Sequence, residues 1–569
     1  MGFWRWKNIS PIFSGARGLI EALRIEGVEV VFGIPGGAIM PVYDELLGSP
    51  IRHVLARHEQ SAAHMADGYA RVTGRPGVAM ATSGPGATNL VTGVATAYMD
   101  SVPMVAITGQ VATRLIGTDA FQEIDTVGIF NPITKYQFQP RRPSEVPRAV
   151  KAAFYLTATG RTSPVLIDLP KDVQMEKEEM AFPESVDIPG YRAEYEPDPL
   201  HVAKAADLLL AADRPVLLGG GGVIKSNACD LLVAVAELLN IPVATTLMGK
   251  GCIPENHPLS LGPIGMHGTY HANKLIMESD LVICVGARFS DRSTMNLSEF
   301  TKDRKIIHFD ADPSEIGKNL KPHHYVVGNI RKSLRILLEV LKVKAVKCEN
   351  TAWRGRWMEL KSEYEDAIFG ASGEFTSPRI IRKIRDMLPI DAIVTTEVGQ
   401  HQMWAELHYR VLKPRTFLTS GGLGTMGFGF PAAIGAKTAK PWVPVLDIAG
   451  DGSFLMTSDS LATSVQENLP VIVCVFNNSC LGMVAQWQRA FYGGRYSGVW
   501  LGSKPDFVHL AKSYGAEGVR VNGMLDFERA LREALKSEVT TVIDIPISPE
   551  ENVLPFVPTG SGLNEMIVK

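Results

Sequence analysis

The chain has 569 residues, enough for three or four domains at roughly 150 residues each. Its 57 basic and 60 acidic side chains nearly cancel to −3, which leaves no overall basic field for nucleic acid and no acidic tail. Apolar runs such as Leu281 to Ala287 have strand length and fall well short of the ~18–20 residues of a membrane span, so no membrane partner is expected.

At the N-terminus, Met1 to Ser10 mixes Trp with charge and offers no continuous apolar segment for a signal peptide. Trp6 stands where a myristoylation signal needs Ser or Thr. The six cysteines include no CxxC pair and sit mostly in apolar runs, which reads as reduced thiols in a cytoplasmic protein. From there on, strand-length apolar runs alternate with helix-length amphipathic segments. That alternation predicts an α/β protein with parallel sheets. Two Pro- and charge-rich stretches, 175–199 and 342–377, the second polar and loosely helical, read as linkers. They divide the chain into 11–180, 195–345 and 375–550, with a tail over 551–569.

Taken in order, the first block holds Arg57-His58-Glu59-Gln60 between a strand and a helix of small residues. Further on, Val78–Ser83 leads through Gly84-Pro85-Gly86 into a helix-length segment and then the run Val102–Ile107. The middle block runs from Val216-Leu217-Leu218 into Gly219 to Gly222, a strand, Gly turn and helix that suit a nucleotide phosphate. Asp310 ends a second strand there, where a ribose contact falls in such domains. A βαβ unit that binds no nucleotide would show the same turn. In the third block, Val445–Ala449 leads through Gly450-Asp451-Gly452 into a helix and then the run from Leu469 to Val473. The first and third blocks match in spacing to within a residue, which predicts two copies of one fold around a different middle domain.

Gly450-Asp451-Gly452 followed after 24 residues by Asn477-Asn478 is the sharpest signal. Parallel strands bring both to one carboxyl edge, where α/β sheets bind ligands. A carboxylate and an amide oxygen are hard ligands suited to Mg²⁺. Backbone N–H groups at Gly452 and Ser453 suit a phosphate. Together they describe a metal-bridged diphosphate site.

That spacing resembles the signature of enzymes dependent on thiamin diphosphate (ThDP, also called thiamine pyrophosphate). The first and third blocks then look like their pyrimidine- and diphosphate-binding domains. Finer motifs select a family. They are Pro35-Gly36-Gly37-Ala38, Thr118–Glu123, Gly265-Met266-His267-Gly268, Gly286–Arg292, Ser420–Gly427 and Leu481–Gln488. With the tail, they resemble the catalytic subunits of the acetohydroxyacid (acetolactate) synthase family over essentially residues 11–569.

The resemblance implies decarboxylation of pyruvate and transfer of the two-carbon unit to a second 2-ketoacid, pyruvate or 2-ketobutyrate. It implies a role for each matching residue. Glu59 bonds the aminopyrimidine ring and so activates the cofactor. In these enzymes that Glu comes from the partner subunit, which implies a homodimer or tetramer with sites at the interface. Asp451 and Asn478 hold Mg²⁺ together with the carbonyl of Cys480. Val398, Gly399, Gln400, His401, Gly452 and Ser453 hold the diphosphate, and Met483 belongs to the same cofactor site. Met426 supports the bent cofactor, and Gly424 meets its pyrimidine. Gly36, Gly37 and Gln122 face the reacting centre. Arg292 pairs with the second ketoacid's carboxylate, Trp487, Phe121 and Met266 shape the acceptor pocket, and Lys171 lies at the access channel. FAD, with no redox role in the main reaction, is expected on Arg161, Gly265, Met266, His267, Arg288 and Asp310. A separate regulatory subunit is compatible with the chain, which shows no ACT-like domain of its own.

Five positions depart from the family pattern. Asn329 replaces an Asp after Gly328, Ser290 replaces an Asp before Asp291, and Ser460 replaces a Glu. Ala112-Thr113 replaces a Pro-Arg pair where channel-blocking herbicides bind, so altered sulfonylurea sensitivity is expected. An inhibition constant equal to that of a Pro-bearing relative would count against this. The readings left in competition are an FAD-free catabolic acetolactate synthase, a pyruvate oxidase, an aldehyde-acceptor carboligase, and a paralogue that binds cofactor without turnover.

Overall fold

The computed structural model describes residues 11–344, 351–369 and 374–568. Three six-stranded sheets, parallel throughout, carry the chain, each flanked by helices. The first runs in space Arg52–Leu55, Val30–Gly33, Gly77–Ala81, Met104–Gln110, Val165–Pro170, Tyr136–Phe138. The third runs Phe417–Leu418, Ile393–Thr396, Val445–Gly450, Ile472–Asn477, Thr541–Pro546, Glu517–Arg520. In both, the order is second, first, third, fourth, sixth, fifth, so the two sheets share one topology. Their central strands, such as Gly77–Ala81 and Val445–Gly450, are buried at every position, as strands covered by helices on both faces require.

The middle sheet is different. Its order is Ser260–Pro263, Val243–Thr245, Pro215–Gly219, Leu281–Val285, Lys305–Asp310, His324–Val327. That is third, second, first, fourth, fifth, sixth, the doubly wound order of dinucleotide-binding folds. The direction of winding reverses between Pro215–Gly219 and Leu281–Val285, which pair side by side. A crevice for a ligand opens above that point.

The first and third sheets meet through two helices of small residues, Glu59–Thr73 and Gly429–Ala439. Gly68 abuts the carbonyl of Ala432, and Gly435 abuts that of Met65, so neither position has room for a β-carbon. One hydrophobic cluster runs through this contact and includes Phe32 and Met104 of the first sheet with Ile393 and Val473 of the third.

The two stretches read as linkers behave differently. In 175–199, Lys177–Glu179 pairs antiparallel with Ile12–Ser14 and the rest crosses to the middle sheet without regular structure. In 342–377, the structure has a helix, Thr351–Phe369. Trp353, Trp357 and Leu360 recur at helical spacing and are buried in a core of the middle sheet with Val216 and Leu218. The polar composition masked that narrow apolar stripe. The tail also packs. Glu551 accepts from Ser377 N and Oγ at 2.8 and 3.0 Å, Val553 exchanges hydrogen bonds with Gln486, and Val557 N donates to Met266 O at 2.8 Å. It straps the third sheet's domain to the middle one.

Candidate active site

Asp451 follows strand Val445–Gly450, and Asn477 ends the neighbouring Ile472–Asn477, with Gly450 registered against Phe476. The Asp451 carboxylate accepts from Gly452 N at 3.0 Å and from the backbone of Ser479. It therefore reaches the Asn478–Cys480 turn. Burial pushes its pKa up to about 6. A buried carboxylate with no cationic partner among the described residues, beside an amide oxygen and a backbone turn, is a donor set that fits a hard divalent cation. Asn478 is held from both ends. Its Nδ2 donates to Gln400 Oε1 at 3.2 Å, and its Oδ1 accepts from Cys480 N at 3.2 Å.

Gly399 and Gln400 open the helix Gln400–His408 from the neighbouring strand end. The Gln400 side chain is consumed by Asn478, Gln486 and the Glu551 carbonyl, so only its backbone is left for an anion. His401 is buried against Gly399 and Gly450, and burial pulls its pKa down to about 3, so it is neutral. Its Nε2 lies 3.5 Å from Ser453 Oγ. Met426 approaches the open side of Gly452 alongside Leu481 and Leu501. Gly424 takes a φ of +71° with open space where a β-carbon would stand. Ser460 is fully buried with its hydroxyl unpartnered, directly before Leu461 in the core.

The first sheet supplies a second edge. Glu59 is the first residue of its helix, and His58 caps that helix by accepting from Gln60 N. Asn89 Nδ2 donates to Glu59 Oε2 at 2.9 Å. Gly86 lies against the other oxygen, since a β-carbon there would sit 3.4 Å from Oε1. Gln122, with a φ of +59°, lies over Gly84 in the neighbouring loop. Gly36 is packed on Thr82, and Gly37 faces open space. Phe121 is 88% exposed, and Lys171 stands exposed at the start of Lys171–Met175. Ala112-Thr113 lies beside it, with Thr113 N donating to Asp172 at 3.0 Å.

Most of the remaining predicted residues meet in one cavity of about 1030 Å³ above the switch point of the middle sheet. Arg161, Met266, His267, Arg288 and Asp310 line it, as do Arg292 and Trp487. The same cavity reaches Val398, Gly399, Gly424 and Met483 of the third domain. Gly265 stands just behind it, with a φ of +128° where Arg292 O comes close. Arg292 Nη1 lies 3.5 Å from Met266 Sδ, with the rest of the guanidinium exposed. His267 is buried with Nδ1 unpartnered. Burial, then Arg292, pulls its pKa down to about 3. Burial and the neighbouring Arg161 also lower that of Arg288, which has no hydrogen-bond or ion-pair partner among the described residues. Arg161 is ion-paired to Glu315 at 2.5 Å, so the unpaired Arg288 and the orphaned ring nitrogen of His267, around a roomy crevice, are what fit an elongated anionic ligand. Of the departures, Asn329 caps the helix Ile330–Lys344 by accepting from Lys332 N at 3.1 Å, a task Asn performs as well as Asp. Ser290 Oγ bonds Ser293 Oγ at 3.1 Å.

The cavity does not gather Glu59, Gly36, Gly37, Gln122, Phe121 or Lys171, nor Asp451, Asn478 and Cys480. It adds residues that motif reading passed over. Asp100, Ser101, Lys225, Met248 and Glu406 are on its wall. A second omission is the buried acid pair Glu397 and Asp447, under the cofactor loops. Glu397 accepts from Gly427 N at 2.6 Å and Phe430 N at 3.1 Å, and burial raises the pKa of both acids. An acid inside an apolar strand such as Val445–Gly450 was the available signal.

Three family models match the chain: the N-terminal TPP binding domain of thiamine pyrophosphate enzymes over 13–129, their central domain over 202–337, and their C-terminal TPP binding domain over 397–545. A probable acetolactate synthase large subunit of Methanocaldococcus jannaschii is 50% identical over 562 residues, covering 97% of this chain and 95% of that protein. The acetolactate synthase large subunits of Parasynechococcus marenigrum and Haemophilus influenzae are 47% and 43% identical, each covering 98% of this chain and 92% and 98% of their own length. With two like sheets facing each other, a dinucleotide-type sheet between them in sequence, and this similarity end to end, the chain belongs to the acetolactate synthase large-subunit family of thiamine pyrophosphate enzymes.

Proposed function

We propose that this chain decarboxylates pyruvate and joins the two-carbon unit to a second pyruvate or to 2-ketobutyrate, the first common step of branched-chain amino-acid biosynthesis. The observation that carries the reading is the pairing of full-length similarity to acetolactate synthase large subunits with an intact Asp451, Asn478 and Glu59 at two sheet edges. The working division is 11–180, 195–345, 375–550 and the tail 551–569.

When bound, ThDP supplies the electron sink for decarboxylation. The chain's own residues do the rest. Asp451, Asn478 and the Cys480 carbonyl would hold Mg²⁺, and the backbone around Gly399, Gln400, Gly452 and Ser453 would hold the diphosphate. Met426 and Met483 supply apolar walls. Glu59 holds or moves a proton at the pyrimidine ring. Arg292 orients the carboxylate of the second ketoacid, beside Met266 and Trp487 on one wall. Gly37, which faces open space, would meet the reacting centre at the other edge together with Gly36 and Gln122. FAD would take the central cavity, with Arg161 and Arg288 near its phosphates and Asp310 at the ribose.

A site shared between two copies is supported by two facts. Glu59 bonds within its own domain, to Asn89, and Phe121, next in the chain to Gln122, is 88% exposed. The relatives' designation as large subunits supports a separate small regulatory partner. The five cysteines in the described residues are unpaired, which suits a reducing cytoplasm, and no helix there is long and apolar enough to cross a membrane.

The test is acetolactate formation from pyruvate by purified protein with Mg²⁺ and ThDP, with and without FAD. FAD-dependent product is the expected result. Product without flavin would move the reading to the FAD-free enzyme. No product under either condition, with a small subunit present, would overturn it.

A further inference from the structure

The turn Asp100–Ser101 is a junction of all three domains. Asp100 is the C-cap residue of Pro85–Met99, with its carboxylate buried. A carboxylate at a helix C-terminus opposes the helix dipole, so its position needs compensation from outside the helix. Arg71 supplies a cation, with Nη2 2.9 Å from Oδ2, while Asp67 holds the same guanidinium and Arg71 Nη1 donates to Thr419 O at 2.9 Å. Gly422 N donates to Oδ1 at 2.7 Å and Gly421 N to Oδ2 at 3.2 Å. These two N–H groups begin the loop that ends at Gly424. From the other side, Lys225 Nζ donates to the Asp100 carbonyl, and Arg161 Nε donates to Ser101 Oγ at 2.9 Å. Ser101 holds a φ of +54°, a conformation its neighbours must enforce.

Lys225 and Arg161 are cavity-wall residues, and so is Met248, whose sulfur fills the space beside Gly421. The Asp100–Ser101 turn thus holds Lys225 and Arg161 of the cavity wall through its carbonyl and the Ser101 hydroxyl, and the loop read as a ThDP contact through the Asp100 carboxylate.

We propose that Asp100 is a positioning residue that couples occupancy of the central cavity to ThDP binding. The proposal rests on the flavin reading above. An anionic occupant draws on Lys225 and Arg161, both bonded to the Asp100–Ser101 turn. That turn sets where Gly421 and Gly422 sit. A coupling of this kind is reciprocal, because each ligand must change the other's affinity by the same factor.

The experiment measures the ThDP dissociation constant of the full-length protein in Mg²⁺, by calorimetry, with and without saturating FAD. It also measures the FAD constant, by flavin fluorescence, with and without ThDP. Each ligand is expected to tighten the other by the same factor, on the order of 5- to 150-fold. Asp100→Asn and, independently, Lys225→Met should bring that factor below about twofold. Asp67→Asn serves as the structural control. It shares Arg71 but does not touch the loop, so it should lower thermal stability and keep the factor. If FAD binds and the wild-type affinities are independent, the proposal is overturned while the flavin reading stands. Full coupling in folded Asp100→Asn or in Lys225→Met overturns it equally. If FAD does not bind at all, the flavin reading fails and takes the proposal with it.

Discussion

Glu59→Gln should lower turnover of pyruvate by roughly 10²- to 10⁴-fold, the range lost when a positioned general acid–base is removed. Its ThDP affinity should stay within a few-fold of the parent. The reason is local. Glu59 is the first residue of a 15-residue helix, where the dipole favours an anion, and Asn89 holds one of its oxygens at 2.9 Å. Gln keeps the shape and the contact with Asn89 but has no proton to exchange. Calorimetry of ThDP beside a pyruvate-consumption assay separates binding from chemistry. Activity within tenfold of the parent would remove Glu59 from the chemistry. The same variant tests whether sites are shared. Mixed and reassociated with an inactive Asp451→Ala chain, it should regain activity, because one of the two sites in a mixed dimer then holds both intact residues. If the site lies within one chain, mixing restores nothing.

Gly435→Val should be the most damaging single substitution for stability. Gly435 lies against the backbone of Met65, and Gly68 of the facing helix lies against that of Ala432. The opposing atoms are carbonyl groups of helices, which cannot turn aside as a side chain can. A branched side chain must separate Glu59–Thr73 from Gly429–Ala439 and open the core that joins the first and third sheets. Overpacking of this kind costs about 3 kcal/mol or more, and the unfolding midpoint should fall by roughly 6–12 °C. Glu59 lies at the N-terminal end of the displaced helix, so activity should fall with it. Gly355→Ala is the matched control, since Gly355 is an exposed helix position with open space around it. That change should leave the midpoint unchanged or raise it slightly, as Ala is the better helix former. A midpoint for Gly435→Val equal to the parent's would show that the helices slide without loss.

Much of this protein was legible in its order of residues. Strand-length apolar runs followed by Gly turns announce parallel sheets, because strands covered on both faces must be apolar at every position. The like spacing around Gly84-Pro85-Gly86 and Gly450-Asp451-Gly452 announced two related domains, and both have the same strand order. Asp451 and Asn477-Asn478 could be placed together because neighbouring parallel strands end at a common edge. All these are local or nearest-neighbour properties, carried by short segments and their spacing.

Other features were not legible, because they depend on contacts between segments far apart in the chain. The 351–369 region read as a linker, since three apolar residues in a polar helix count for little until a core receives them. Gln400 carried a ligand motif, yet its side chain is spent on Asn478, Gln486 and the tail. Asp100 had no motif at all. Its importance arises only where Arg71, Lys225 and Gly421-Gly422 converge on it from three domains. Sequence alone determined the kinds of element, their order and the chemistry at each strand end, because those follow from residue type and period. Tertiary structure alone decided which charged and polar groups are buried and what satisfies them, because burial and partnership belong to the packed chain and not to any one segment of it.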